Sequence, residues 1–100
     1  MDEIIKQIKK LDAQPSSIEL AIEFANLLPK NIQVPQVSVI KNGEVVMAWE
    51  KPYFHLIFFH HMGHQERIIN FSTELANGSF AFAGEIDIIV KSMLKNFETL

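Results

Sequence analysis

The sequence has no cysteine in its 100 residues, which excludes disulfide bonds, thiolate zinc sites and thiol nucleophiles. It is also short of positive charge, because nine Lys and Arg face twelve Asp and Glu and the formal net charge is −3. This balance weakens any electrostatic case for a nucleic acid or an anionic membrane as a partner. A chain without cysteine suits a reducing compartment, so we expect a cytoplasmic protein.

Long apolar segments are missing as well. Apolar segments such as residues 56–59 and 86–90 fall far short of the roughly 20 residues that a membrane-spanning helix needs. The acidic residues at the N-terminus do not match a signal peptide, which has basic residues before its apolar segment. We therefore expect no membrane partner.

Sequence motifs of catalysis are also missing. No serine lies in a G-x-S-x-G context, and the four glycines form neither a G-x-G-x-x-G pattern nor a phosphate-binding loop. Each glycine stands where a turn or a helix cap would need one. The sequence therefore predicts neither an enzyme nor a bound cofactor.

The chain does have the composition of a globular domain. Hydrophobic residues make up 48% of it and charged residues 21%. A length of 100 residues supports one hydrophobic core rather than two. We expect a single domain over residues 1–100.

Three segments show helical periodicity. Residues 2–13 carry apolar side chains on one helical face. A second helix is predicted from Ser16, where Ser16 and Glu19 form a capping box, to about residue 28. A C-terminal helix has the clearest pattern, with apolar residues at helical spacing in Ile86, Ile89, Val90, Met93, Leu94 and Phe97.

Between the helices the apolar residues recur with a period of two, which is typical of strands. Asn42-Gly43, Met62-Gly63 and Asn77-Gly78 mark three tight turns, and a short fifth strand follows over residues 79–83. This order predicts an α+β fold. We expect an antiparallel four- to five-stranded β-meander with two N-terminal helices and one C-terminal helix packed mainly on one face.

Pairing around the tight turns sorts the strand side chains into two apolar faces. One face collects Ile40, Val45, Met47, Trp49, Phe54, Leu56, Phe58, Ile69 and Phe71. The other collects Val37, Val39, Val46, Ala48, Ile57, Phe59 and Ile68, with His55, His61 and His64 among them. Because the helices suffice for one face and hardly for two, the second face is predicted to be an interface.

The residues predicted to form this interface are Val37, Val39, Val46, Ile57, Phe59 and Ile68, with His55 and His61 at the rim. The simplest form of the interface is a homodimer, and the alternative is a complex with a different protein. The sequence leaves a third arrangement open, in which the first helix wraps around the sheet and buries the second face.

Four histidines lie within ten residues, at positions 55, 60, 61 and 64. His61 and His64 flank the second predicted turn, and Glu66 is expected on the same face, opposite Phe59. Two imidazoles and a carboxylate suit zinc or a similar divalent ion, so these three form the candidate metal site. Two alternatives stay open: solvated histidines, and a pH response in which four protonations change the formal charge from −3 to +1.

Individual side chains carry further expectations. Trp49 belongs to the alternation of its strand and is predicted to be a core residue. Arg67 is expected opposite Phe58, where it would form a cation–π contact. Glu44 and Glu50 are expected to form surface pairs with lysines.

The first hairpin and the helix before it carry the segments Leu28-Pro29, Pro35-Gln36-Val37, Asn42-Gly43-Glu44-Val45 and Met47-Ala48-Trp49-Glu50. They resemble a pattern in small uncharacterised bacterial α+β proteins, in which a Leu-Pro helix end precedes a Pro-x-Val strand, an Asn-Gly turn and a strand closing in Trp-Glu. The resemblance implies the same helix-then-meander architecture and a bacterial or mobile-element origin. It implies no activity.

These expectations together predict a small non-enzymatic protein that acts by protein–protein contact through the second sheet face. Its partner is expected to be a second copy in a homodimer, or a larger protein that it neutralises or inhibits. The alternative function is a metal- or pH-responsive module that uses His61, His64 and Glu66.

Overall fold

The computed structural model describes residues 2–28, 32–51, 53–61 and 66–82 of the chain. Two helices precede five strands: α1 (Asp2–Lys9), α2 (Pro15–Asn26), β1 (Gln36–Val39), β2 (Val45–Glu50), β3 (Tyr53–Phe58), β4 (Ile68–Thr73) and β5 (Asn77–Ala81). Both helices end earlier than their periodicity predicts. The predicted C-terminal helix lies outside the described residues.

The five strands form one antiparallel sheet in which each strand pairs with the next along the chain, in the order β1-β2-β3-β4-β5. This confirms the α+β class and the antiparallel meander, and the fifth strand is present. Within the described ranges, no helix has the length and apolar character that crossing a membrane would need.

The two helices cover one side of the sheet, which we term the inner face. Helix α1 contacts α2 and β1, and helix α2 contacts β2 and β3. They bury Ile4, Ile8, Leu20 and Phe24 against the inner-face side chains Val45, Met47, Trp49, Phe54, Leu56, Phe58 and Ile69. The burial of these side chains confirms that the helices lie on the Trp49 face and that Trp49 is a core residue.

Aromatic contacts hold helix α2 and the sheet together. The ring of Phe24 meets that of Phe58 edge to face, with centroids 5.4 Å apart. Trp49 stacks on Phe54 at 5.6 Å and donates its Nε1–H to the carbonyl oxygen of Gln33 at 2.7 Å. The indole thus lies in the core with its polar N–H satisfied.

The loop of the first hairpin is one residue longer than predicted. Gly43 donates its N–H to the carbonyl oxygen of Ile40 at 2.9 Å, and Ile40 donates to that of Glu44 at 3.0 Å. Gly43 has a φ of +80°. This left-handed conformation is the one that glycine takes in a three-residue hairpin loop with a bulge.

The extra loop residue moves β1 by one position against β2. Val37 pairs with Met47. Val39 likewise pairs with Val45, so both valines of β1 lie on the inner face. The prediction that Val37 and Val39 belong to the opposite, partner-binding face is therefore wrong, because a shift of one residue exchanges the two faces of a strand.

The last turn of the meander also differs from the prediction. Thr73 donates its N–H to the carbonyl oxygen of Ala76 at 2.8 Å, so the turn spans residues 73–76 and Gly78 belongs to β5. Gly78 stands opposite Phe71, and a Cβ atom on it would lie 3.1 Å from the Phe71 ring. Here the glycine makes room for an aromatic ring and does not mark a turn.

Helix α2 begins one residue earlier than predicted. Pro15 takes the first helical position, and Gln14 is the N-cap residue, without a side-chain cap bond. Gln14 donates its N–H to the carbonyl oxygen of Gly43 at 2.7 Å. Ser16 does not form the predicted capping box, and its Oγ instead accepts the N–H of His61 at 2.9 Å.

Hydrogen bonds of the Ser17 side chain join helix α2 to one end of the paired strands β2 and β3. Its buried hydroxyl donates to the carbonyl oxygen of Phe58 at 2.5 Å and accepts the N–H of Val45 at 2.8 Å. Val45 and Phe58 are register partners, so the hydroxyl lies between backbone groups that face each other across the two strands. A helix side chain thereby satisfies two buried backbone groups of the sheet.

Ser17→Ala is predicted to lower the free energy of unfolding by about 1–3 kcal/mol, because the two backbone groups lose their shared partner. Urea unfolding followed by circular dichroism measures the change. Ser38→Ala is the matched control, since Ser38 is exposed, and it should change stability by no more than about 0.5 kcal/mol. Equal stability of the two variants would contradict the role assigned to the Ser17 hydroxyl.

Candidate functional site

The side of the sheet opposite the helices is the outer face. The strand register places on it Val46, Ala48, Tyr53, His55, Ile57, Ile68, Asn70, Ser72, Asn77 and Ser79. Val46 is only 9% exposed, and Ile57 and Ile68 are half-buried. The outer face therefore combines an apolar part on β2 and β3 with a more polar part on β4 and β5.

A hollow of about 600 Å³ lies in the outer face. Apolar residues line one part of it: Ile40, Val46 and Ile57. Polar residues of β4 and β5 line the other part: Asn70, Ser72, Asn77 and Ser79. Ile40 was expected on the inner face, and its place here is a second consequence of the shifted register of β1.

An aromatic pair borders the hollow. The rings of Tyr53 and His55 stack with centroids 4.2 Å apart and planes inclined by 23°. The Nε2 atom of His55 lies 3.4 Å from Oε1 of Glu50, whose side chain is 68% exposed. A contact this close to solvent contributes little stability, but it orients the imidazole. The pair offers a partner a flat aromatic surface with polar atoms at its edge.

The predicted interface residues divide between the two faces. The outer face holds four of them: Val46, His55, Ile57 and Ile68. Phe59 follows β3, is half-buried, and donates its N–H to the carbonyl oxygen of Ile68 at 3.1 Å. Val37 and Val39 lie on the inner face and are therefore not part of the candidate surface.

Sequence analysis missed Tyr53 and the polar half of the hollow. Tyr53 lies two positions before His55, so the alternation that predicts the place of His55 also contained the signal for Tyr53. The residues of β5 could not be assigned to a face, because Asn77-Gly78 predicts a turn where the structure has a strand.

A second polar cluster lies where the first hairpin loop meets the end of β3. Glu44 is buried, with 2% of its surface exposed, and its Oε2 accepts the N–H of His60 at 3.0 Å. The same oxygen lies 3.3 Å from Nδ1 of His60. A buried carboxylate needs hydrogen-bond donors, and the backbone N–H of His60 supplies one of them. The expectation of a surface pair between Glu44 and a lysine is therefore wrong, and Glu50 contacts His55 instead.

Arg67 joins helix α2 to the segment before β4. It pairs with Glu23 of α2, and its guanidinium carbon lies 5.3 Å from the centroid of the Phe82 ring. The predicted cation–π contact is present, but its aromatic partner is Phe82. Phe58 was the expected partner of Arg67. The strand register pairs Phe58 with Ile69 instead, so Arg67 does not lie opposite Phe58.

The candidate metal site falls partly outside the described residues, because His64 lies there. The Nδ1 atom of His61 is buried and has no hydrogen-bond partner in the described part of the chain. The backbone N–H of Phe59 donates a hydrogen bond to the carbonyl oxygen of Ile68. Ile68 therefore lies opposite Phe59, where Glu66 was expected. Among the residues that the structure describes, no group of three His, Cys, Asp or Glu could hold a metal ion. The zinc site stays a prediction.

Comparison of the chain with protein-family models, with curated proteins and with solved structures finds no match in any of the three. The resemblance to small bacterial α+β proteins therefore stays a hypothesis. The function is inferred from the geometry of the outer face.

Glu44→Ala is predicted to lower the free energy of unfolding by about 1–3 kcal/mol, because the N–H of His60 loses its acceptor. Glu50→Ala is the matched control. Its contact with His55 is largely solvated, and its loss should cost no more than about 0.5 kcal/mol. Urea unfolding compares the two, and an equal loss in both would show that the burial of Glu44 has no energetic consequence.

The metal hypothesis predicts that micromolar zinc raises the melting temperature, because an ion that binds only the folded chain stabilises it. The double variant His61→Ala, His64→Ala should abolish the rise. His55→Ala should keep it, since His55 lies on the outer face. Differential scanning fluorimetry measures all three, and a parent chain that does not respond to zinc would exclude the site.

Proposed function

We propose that this chain is a non-enzymatic interaction protein that binds a protein partner through the outer face of its sheet. The observation that carries the proposal is the run of apolar side chains on β2 and β3, continued by Ile68 at the start of β4, on the side away from α1 and α2. In an antiparallel sheet with one face in water, that face is normally polar. The outer face departs from this pattern along β2 and β3.

The arrangement of the hollow fits a protein interface. Such interfaces have an apolar centre and a polar rim, and tyrosine is enriched among the residues that contribute most to binding. Here Val46 and Ile57 form the apolar centre, with Tyr53 beside them and the polar side chains of β4 and β5 on one side.

A protein explains more of this surface than a small molecule does. Phe59 and Ile68 lie close to Ile57 but do not line the hollow. A small ligand seated in the hollow would leave their half-buried side chains in contact with water. A protein surface of ordinary interface size would cover them together with the hollow.

The partner is a second copy of the chain or a larger protein that this chain neutralises or inhibits. A second copy requires the outer face to be self-complementary about a two-fold axis. The net charge of −3 favours a basic surface on a larger partner, because opposite charges accelerate association.

Ile57→Asp is predicted to abolish binding, because it places a charge in the apolar centre of the surface. Ile57 is only half-buried on an open face, so the fold should persist, as circular dichroism would show. Ser38→Asp is the matched control: Ser38 lies on the same face, opposite Val46, but does not line the hollow.

Sedimentation velocity tests self-association of the parent chain and both variants, and immobilised protein tests capture of partners from the native host. The proposal expects a complex that the parent chain and Ser38→Asp form and Ile57→Asp does not. Identical behaviour of all three proteins in both measurements would contradict it.

A further inference from the structure

The second edge of the described sheet, formed by β5, presents backbone groups that no described strand pairs with. Thr73 donates its N–H to Ala76, and Phe82 donates its N–H to Arg67, so even-numbered residues near β5 bond towards β4. Backbone groups alternate in direction along a strand. The N–H and C=O groups of Asn77, Ser79 and Ala81 therefore point away from β4, where no described strand pairs with them.

This edge lacks the features that usually prevent strands from pairing between molecules. Natural edge strands carry charges, proline or a bulge. The sequence of β5 is NGSFA, which has neither a charge nor a proline, and its register with β4 is regular over its five residues. Its three outward-bonding residues have small side chains and are exposed.

We infer that β5 pairs antiparallel with β5 of a second copy, about a two-fold axis at Ser79. In this register Ser79 faces its own counterpart, and Asn77 faces Ala81 of the second copy. All of the outward backbone groups of both strands then have partners. The two five-stranded sheets become one continuous sheet.

Side chains on the inner side of β5 make this register self-complementary. Phe80 of one copy falls opposite Gly78 of the other, where glycine has no side chain of its own and the Phe71 ring of that copy lies close by. Phe80 already lies 6.4 Å from Phe71, ring centroid to ring centroid, and both are half-buried. Pairing brings the two Phe71–Phe80 pairs together across the axis and removes more of their surface from water.

The turn before β5 gives a separate indication of a contact. Leu75 is 97% exposed, although leucine gains free energy when it leaves water. The proposed register extends the turn at residues 73–76 alongside the end of β5 in the second copy. Leu75 then lies next to the segment that contains Phe82 of that copy.

The edge contact does not rest on the proposed function, since it uses the backbone edge of β5 and not the apolar part of the outer face. Asn77 and Ser79 also line the hollow, so pairing through β5 would place the two hollows beside each other on one extended outer face. A partner could then contact both copies at once.

Charge variants at position 79 test the inference. Ser79→Lys and Ser79→Glu each place two like charges opposite each other at the axis, and both should lose the dimer that the parent chain forms. Mixing the two variants should restore it, because the charges are then opposite. Sedimentation across a concentration series measures the mass, either 11.4 kDa or twice that value.

Two controls separate this contact from the outer face. Ser38→Lys changes an exposed serine of the opposite edge strand and should leave the dimer intact. Ile57→Asp should also remain dimeric if β5 forms the contact, whereas an outer-face dimer would dissociate in Ile57→Asp. A monomeric parent chain, or a dimeric Ser79→Lys, would overturn the inference and leave the outer-face proposal standing.

Discussion

The two helices that the structure describes cover only one face of the five-stranded sheet, and the arrangement of the remaining surface follows from that limit. Helix α2 lies against β2 and β3, and helix α1 lies beside it towards β1. The largest buried side chains, including Trp49, Phe54 and Phe58, all lie on the side that these helices cover. The outer face keeps the smaller apolar residues of β2 and β3 and the polar residues of β4 and β5. A face of this composition on a small domain is the feature on which the proposed binding function rests.

The faces of β2, β3 and β4 could be predicted from the sequence because side chains alternate strictly along a strand. The register keeps that alternation across residues 51–52, where Glu50 pairs with Tyr53. The face of β1 could not be predicted, because an Asn-Gly sequence suits hairpin loops of either two or three residues. A loop that is longer by one residue places the side chains of β1 on the opposite face of the sheet. The residue at which β5 begins could not be predicted either. Only the three-dimensional position of the Phe71 ring explains why a glycine stands opposite it within the strand.

The candidate site shows the same division. Val46, His55 and Ile57 follow from alternation alone, and they form the part of the outer face that the sequence predicts. The contact between Glu44 and His60 joins residues 16 positions apart, through the register of two strands and the path of a loop. No local pattern encodes such a contact. The polar side of the hollow depends on the pairing of β5, and that pairing depends on the position of the preceding turn.

The first turn of helix α2 has a consequence for how the molecule opens. Gln14, Ser16 and Ser17 bind three separate parts of the sheet: the first hairpin loop, the residues after β3, and the end of the β2–β3 ladder. The helix therefore cannot detach without breaking bonds at each of them, which couples α2, β2 and β3 into one cooperative unit. Strand β5 pairs with β4 alone within the described sheet. In a single subunit, amide hydrogens should thus exchange faster at β5 than at the strands beneath α2, and pairing through β5 would slow the exchange at this edge.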